Sequence, residues 1–364
     1  MKAVHGVVFA WGACWLVAGC AAQVVEAVEV PVETEAGRGG NAGGGSGGSA
    51  GGGAGSGGSG GQDCVGSCCA ASTDDRDGDG TPDCDDACPD QPDKVAPGLC
   101  GCEIPDEDRA DLASCTGLRE ALIHRYSFEG TGDVVTDTVT RVHPSAVAAD
   151  GVLINATLTG SGWLALAGGK GMPEDDQYVA LPSGIVSSLQ SVTVEAWLIW
   201  YGGAEWQRIF DFGNNDSEVP GLQGDAGTSY LFLTPTTGPG WGNRARVAYK
   251  RADYPNEVLV DSVRFFPRGI ETHVAVTFDQ ESDTLALYLD GVLEGSRTEI
   301  ATATGIPMRL DVIDDVYDWL GRSQFGADAE LGASLDELRV YSAALGPGQL
   351  RTSALAGPNP IFFP

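Results

Sequence analysis

Val192-Thr-Val-Glu-Ala-Trp-Leu-Ile199 alternates apolar and other residues with a period of two. That period puts one set of side chains on each face of a β-strand, and it cannot stand still on a helix. The same period returns in Thr272-His-Val-Ala-Val-Thr-Phe278. Leu285, Leu287 and Leu289 share one face, and Asp290-Gly291 then supplies a hairpin turn before Val292. Working outward in both directions gives about a dozen such runs between Ile123 and the C-terminus, separated by turn residues. A helical period is expected only for a turn or two after Gly346-Pro347. The prediction is an all-β domain over 116–364, built as a two-sheet antiparallel sandwich large enough to bury its own core.

Upstream of the sandwich, residues 62–115 change character. They hold eight of the ten cysteines, namely Cys64, Cys68, Cys69, Cys84, Cys88, Cys100, Cys102 and Cys115. An even count in an exported segment predicts a disulfide framework, with the pairing left open. Zinc is the competing reading for Cys84-x-x-x-Cys88 and Cys100-Gly-Cys102, and the segment has no histidine. Too polar to build a core, it needs cross-links and metal to hold it.

Within that segment stands Asp75-Arg-Asp-Gly-Asp-Gly-Thr-Pro-Asp-Cys-Asp-Asp86. Counting Asp75 as the first position of a loop, carboxylates fall at Asp75, Asp77, Asp79, Asp83 and Asp86, with Gly80 sixth and the Thr81 carbonyl seventh. Calcium takes six to eight oxygens, and a twelve-residue loop with this spacing wraps one ion. Asp86 stands where a longer Glu arm is usual. Gly, Pro and Cys surround the loop instead of helices, so it resembles a thrombospondin type 3 calcium repeat. One repeat implies a structural clip in a small stalk. A solvated acidic turn is the plain alternative.

Residues 37–61 are almost wholly Gly, Ser and Ala, and 20–61 reads as a flexible tether. Twenty-five such residues span about 28 Å in the root-mean-square sense. Ahead of it, Lys2 and the apolar run Val7–Ala18 form an export signal over 1–19, too short to cross a bilayer. Leu16-Val-Ala-Gly-Cys20 resembles a bacterial lipoprotein lipobox. The resemblance implies cleavage before Cys20, acylation of Cys20 and, with Ala21 following, an outer-membrane or cell-surface location. A net charge of −30 argues against nucleic acid and against a polybasic lipid contact, and suits divalent cations.

Five phrases in register point to a family for the sandwich: His124-Arg-Tyr-Ser-Phe-Glu-Gly130, Ser191-Val-Thr-Val-Glu-Ala-Trp197, His273-Val-Ala-Val-Thr-Phe-Asp279, Leu287-Tyr-Leu-Asp-Gly-Val-Leu293 and Leu335-Asp-Glu-Leu-Arg-Val-Tyr-Ser-Ala-Ala-Leu345. Together, over 120–350, they resemble the laminin-G-like, concanavalin A-like lectin/glucanase superfamily. The resemblance implies a jelly roll that binds carbohydrate, protein or calcium. The glycanases of that family carry Glu-x-Asp-x-x-Glu on one strand, a string missing here. Asp336 and Glu337 are adjacent, so strand geometry turns them to opposite faces and they cannot act as the two carboxyls of a glycosidase. Serine-hydrolase and zinc-protease strings are also missing from 116–364. His124 and His273 sit in strand-like runs and read as packed.

The expectation is therefore a non-catalytic binding module for carbohydrate or a glycoprotein, with structural calcium. The alternatives are a structural protein that binds another protein, and a polysaccharide hydrolase. Trp200, Tyr201, Trp206 and Trp241 lie near turns and are the candidate ligand platform, whereas Trp163, Trp197 and Trp319 read as core. Relatives that hold calcium at the sandwich edge make Asp336, with Glu129 and Asp137, a candidate second metal site.

Overall fold

The computed structural model describes residues 75–82, 86, 88, 91, 92, 94, 95, 109–169, 176–254, 256–301, 305 and 307–359, all inside one compact unit, Asp63–Pro364. The export signal, the tether with Cys20, and Cys64, Cys68, Cys69, Asp83, Cys84, Cys100 and Cys102 lie outside the described residues. Among the described residues no helix is long and apolar enough to cross a membrane.

The elements follow in chain order as α1 (Arg109–Ala121), β1 (Leu122–Tyr126), β2 (Val134–Val135), α2 (Val139–Val142), β3 (Gly151–Ile154), β4 (Thr157–Leu158), β5 (Leu164–Gly169) and β6 (Tyr178–Leu181). Then come β7 (Ser191–Trp200), β8 (Phe210–Asn215), β9 (Gly227–Thr234), β10 (Arg246–Lys250), β11 (Val258–Asp261), β12 (Glu271–Asp279), β13 (Thr284–Leu289), β14 (Val292–Arg297), β15 (Tyr317–Leu320), β16 (Glu330–Tyr341) and α3 (Pro347–Ala356). The first sheet runs β14-β13-β12-β7-β16-β5-β4, with β1 also paired to β16. The second runs β11-β10-β9-β8-β15-β6-β3-β2. The ladders between these strands are antiparallel, so the chain forms the two-sheet sandwich its alternation predicts, consistent with the jelly roll the resemblance implies.

Period-two patterning builds the core. On β7, Val192, Val194, Ala196, Leu198 and Trp200 face inward, and Phe210, Phe212, Leu231, Leu233, Val247 and Tyr249 meet them from the second sheet. Each fully buried side chain of this kind stabilises the fold by about 1.5–3 kcal/mol relative to exposure. The opposite set on the first sheet is buried as well. Ala275, Ala286, Tyr288 and Tyr341 pack under Leu118 of α1 and Leu350 of α3.

Both long helices differ from expectation. The helix after Gly346 is a full ten residues. Pro347 takes the first position, where its missing N–H costs nothing, and the Gly346 N–H donates to Gln349 Oε1 at 3.0 Å. The thirteen-residue α1 lies across the 115/116 division drawn from the cysteine pattern. Its buried stripe of Cys115 and Leu118, continued by Leu122 of β1, is spaced three and four apart. The cysteine-rich composition around it concealed that spacing. Cys88 and Cys115 are each disulfide-bonded and buried.

Candidate functional site

Among the described residues no α-helix packs on the outer face of the second sheet, and there the outward residues of three strands, with loop residues beside them, frame a cavity of about 300 Å³. Alternation dictates who lines it. Leu231 and Leu233 of β9 point into the core, so Phe232 points out; likewise Arg246 and Leu259 come from β10 and β11. Trp206, Trp241 and Phe325 close the rim from neighbouring loops.

Two of the four candidate platform residues meet here. The rings of Trp206 and Trp241 are 6.5 Å apart and nearly perpendicular, at 75°. Trp241 is 61% exposed. Trp206 sits at φ +63°, a left-handed conformation that a bulky side chain adopts at a cost of roughly 1–2 kcal/mol. Its backbone is pinned on both sides, since its N–H donates to Thr236 O at 2.9 Å and its carbonyl accepts from Arg208 Nη1 at 2.6 Å. These two bonds hold the residue in that conformation, with its side chain at the cavity rim. Arg246 lies against both indoles, its guanidinium 5.1 Å from Trp241 and 5.7 Å from Trp206. A bidentate pair with Asp261, at 2.6 and 2.8 Å, holds Arg246 in place.

The other two platform candidates are corrected by the structure. Trp200 belongs to the core, because it is the inward end of β7; its ring meets Phe266 edge-on and its Nε1 donates to Gln207 Oε1 at 2.7 Å. Tyr201 is exposed but directs its hydroxyl to Ser334 Oγ on the first sheet, away from the cavity. Trp197 and Trp319 are buried, on outer sheet faces rather than between the sheets.

The ions around the cavity are mutually engaged. Arg208 lies 3.9 Å over the Phe232 ring and pairs with Asp211 at 3.2 Å and Asp328 at 2.9 Å. Tyr230 donates to Glu257. Asp211 is fully buried, and burial pushes its carboxyl up to about 7, with Arg208 opposing. Farther along the same face, Arg322 lies between Tyr178 and Trp319, at 4.4 and 4.5 Å. Beside it, burial and then the Asp176 charge push Glu330 up to about 8. Sequence reasoning missed Arg208, Phe232, Arg246, Glu257 and Phe325. The available signal was that aromatic and basic residues fill the outward positions between inward Leu and Val.

The acidic loop is drawn together around its carboxylates. One oxygen from each of Asp75, Asp77 and Asp79 lies within 4.8 Å of the others. Backbone N–H groups organise the loop. Asp75 accepts from Gly78 at 2.8 Å and from Gly80 at 3.0 Å, Asp77 from Asp79 at 3.2 Å, Asp79 from Thr81 at 2.6 Å, and Asp86 from Cys88 at 2.7 Å. Gly80 takes φ +97°, which few other residues tolerate. Oδ2 of Asp77 and Oδ2 of Asp86 are left buried without a hydrogen-bond partner. Burial, then the neighbouring Asp79, Asp86 and Asp75, raise the Asp77 carboxyl above its ordinary value. Oxygens gathered this closely are what a hard divalent cation requires, so Asp75, Asp77 and Asp79 fit calcium, while Asp86 lies outside that close group.

The proposed trio at the sandwich edge does not assemble. Among the described residues, Asp75, Asp77 and Asp79 form the one acidic, His or Cys group close enough to share an ion. Asp137 is a structural acceptor. Its oxygens take the His124 Nδ1 (2.8 Å) and the N–H groups of Arg125 (2.9 Å), Val139 (3.0 Å) and Ala149 (2.9 Å). Burial opposes its ionisation, but these donors outweigh it and hold the carboxyl below its ordinary value. Glu129 pairs with Arg141 and shares an open cleft with Asp336. Asp336 is the extra residue of a β-bulge in β16. Burial, then Glu271, push Asp336 up to about 6. Its Oδ1 accepts from Asn359 Nδ2 at 3.5 Å and its carboxyl also meets Glu271 across β7, whereas Glu337 is bound by Arg125 and Arg339.

Two antiparallel sheets packed face to face define the chain as a β-sandwich protein. Residues 173–351 match the Laminin_G_3 family, described as the concanavalin A-like lectin/glucanases superfamily. The match begins ahead of β6 and ends within α3, so it takes in the whole cavity and leaves out β1 to β5. No curated protein matches the chain. Among solved structures, the chain is similar to domain 4 of AbnA, a GH43 extracellular arabinanase from Geobacillus stearothermophilus in complex with arabinotriose: TM-score 0.41, 20% identity, 65% of this chain and 98% of that one. It is also similar to the CBM40 of the Ruminococcus gnavus IT-sialidase, with a TM-score of 0.36, 17% identity, and 45% and 83% of the two chains. For a Trypanosoma rangeli sialidase the TM-score is 0.44 at 16% identity, over 65% of this chain and 33% of that one.

Proposed function

We propose that the chain is an exported, lipid-anchored surface protein whose sandwich is a non-catalytic module recognising carbohydrate, free or on a glycoprotein. The observation that supports this most is the pair of indoles at the uncovered cavity, one exposed and one held at its rim in a strained conformation. Aromatic faces stack on the C–H faces of sugars, while fixed ions such as Arg246 and Glu257 hydrogen-bond hydroxyls. The ion pairs also argue for binding without catalysis. A glycosidase acid must reach the glycosidic oxygen. Asp211, with its raised carboxyl, is buried beneath Arg208, and Asp328 is tied to that guanidinium.

In this reading, Cys20 carries the acyl chains and 20–61 lifts the domain from the membrane. Calcium at Asp75, Asp77, Asp79, Asp83 and Asp86, with the Thr81 carbonyl, stiffens a disulfide-linked stalk. The deciding experiment is a broad glycan array in calcium, using the exported form and a Trp206→Ala/Trp241→Ala variant. Glycan signals lost in the variant are expected. Silence across the array, or signals indifferent to both indoles, would overturn the reading. Capture of a deglycosylated envelope protein would favour a protein partner instead.

A further inference from the structure

Strand register gives the cavity at Trp206 and Trp241 a direction. Across β9, β10 and β11, Arg246 stands beside Thr234 and Asp261, Ala248 beside Phe232 and Leu259, and Lys250 beside Tyr230. These three rows face outward together, because Val247 and Tyr249 between them point into the core. The first row carries the bidentate Arg246–Asp261 pair, with both indoles against the guanidinium. The middle row is apolar, Ala248, Phe232 and Leu259, with Arg208 3.9 Å over the Phe232 ring. At the third row Tyr230 donates to Glu257, the residue just ahead of β11, and Phe325 meets the Tyr230 ring edge-on at 5.7 Å. Antiparallel strands rise about 3.4 Å per residue, so the four steps from Arg246 to Lys250 set the outer rows about 14 Å apart. One cavity touches both, since Trp241 and Arg246 line it at the first row and Glu257 and Phe325 at the third.

Both guanidiniums at the cavity are already bound to carboxylates, Arg208 to Asp211 and Asp328, and Arg246 to Asp261. An acidic ligand would therefore meet neutralised cations and, beside them, the carboxylates of Asp328 and Glu257. Glu257 Oε1 takes the Tyr230 hydroxyl, and Oε2 has no donor among the described residues. Tyr230 holds its proton firmly, because burial and then the Glu257 charge raise its phenol above the ordinary value. Glu257 is thus a fixed acceptor with an oxygen left for a hydroxyl.

We infer that the cavity is a cleft for a neutral glycan chain of two or three units lying along β10, with one ring stacked on Trp241 and a further unit donating a hydroxyl to Glu257. The inference rests on the glycan reading of this face and adds length and charge to it. One pyranose ring is too short to meet both outer rows. Between them, the apolar wall at Leu259 suits the C–H edge of an intervening unit.

The test is calorimetric titration of the exported form with β-1,4-linked glucose, mannose and galactose ladders of one to four units, and with each trimer oxidised to carboxylates at C6. In at least one ladder, affinity is expected to rise about tenfold or more from one unit to three, and to change less than about twofold from three to four. The matching uronate trimer should bind at least about tenfold more weakly than the neutral one. Glu257→Gln keeps an acceptor for Tyr230 and removes the charge, so it should weaken the trimer while leaving the single unit at Trp241 unchanged. Urea denaturation checks its fold; if the midpoint falls, the length and charge dependence of the unaltered protein decides. Equal affinity for one and three units, a further large gain at four, a uronate trimer bound as tightly, or a well-folded Glu257→Gln protein indifferent to length would each overturn the inference and leave the glycan reading standing. Silence of all three ladders would also overturn it, and silence of the glycan array as well would bring down the reading beneath it.

Discussion

Replacing Trp241 by Ala separates recognition from folding, because the ring is more outside the protein than in it. A tryptophan side chain offers about 200 Å². At 61% exposure, about 120 Å² of that remains open to a ligand. A sugar face covering half of it removes about 60 Å² from water, which contributes about 1.5 kcal/mol. That corresponds to roughly a tenfold rise in Kd on truncation. The folding cost is smaller. The ring touches Trp206 edge-on and lies 5.1 Å from the Arg246 guanidinium, contacts together contributing about 1 kcal/mol at an exposed position. Titration calorimetry with a glycan identified on the array, beside urea denaturation, reads both quantities. Trp206→Gly is the companion, since it deletes the second indole and relieves the strain at φ +63°. It should lose affinity with little loss of stability. A Trp241→Ala protein that binds its glycan as the parent does, or that loses affinity only as far as it loses its fold, would refute the assignment of this face.

Three further outcomes are expected. Asp77→Asn removes one of the charges that raise its neighbours' energy, so it should melt no lower than the parent in a chelator, yet take up calcium more weakly by terbium luminescence; equal calcium affinity would remove Asp77 from the ligand set. Asp137→Ala strands four donors in a buried site and should cost roughly 3–5 kcal/mol in urea denaturation with no change in bound metal, whereas a loss of metal would restore it as a ligand. The fold holds protons on Asp211 to about 7 and on Glu330 to about 8, while the unfolded chain releases them near 3.8 and 4.5, so stability should fall as pH rises from about 5 to 8. Glu195, drawn down to about 2, works in the other direction only as pH falls below 4.5, and a urea midpoint that climbs from pH 5 to 8 would contradict this.

Inward faces were legible because burial between sheets imposes a two-residue period. Val192 to Ile199 and Leu285 to Leu289 could be assigned a strand and a side from the chain alone. Outward faces obey no such rule. Trp200 and Trp206 lie six positions apart, both beside turns, and nothing local says that one ends an inward row while the other is held by Thr236 and Arg208. Asp336 shows the same limit. Adjacent residues alternate on a regular strand, but the bulge breaks the alternation and turns Asp336 to Glu271, 65 residues away in the chain. Asp137 read as a metal ligand because a carboxylate in sequence carries no record of how many N–H groups will surround it.

The two outer faces explain why recognition is placed on the second sheet. Both carry the same materials, arginine over an aromatic ring and paired to buried acids. Arg339 lies 4.3 Å over Trp197 with Glu195 and Glu337, and Arg208 lies 3.9 Å over Phe232 with Asp211 and Asp328. On the first sheet, α1 and α3 close over these groups, and Arg339 spends its remaining donors on Ser353, Gly357 and Pro358. Those ions fasten the C-terminal helix to the sheet. Among the described residues no α-helix packs on the second sheet, so the equivalent groups are braced by their neighbours and open to water at Trp241. An Arg–aromatic–acid set is thus a clamp where the chain supplies the cover, and a platform where it does not.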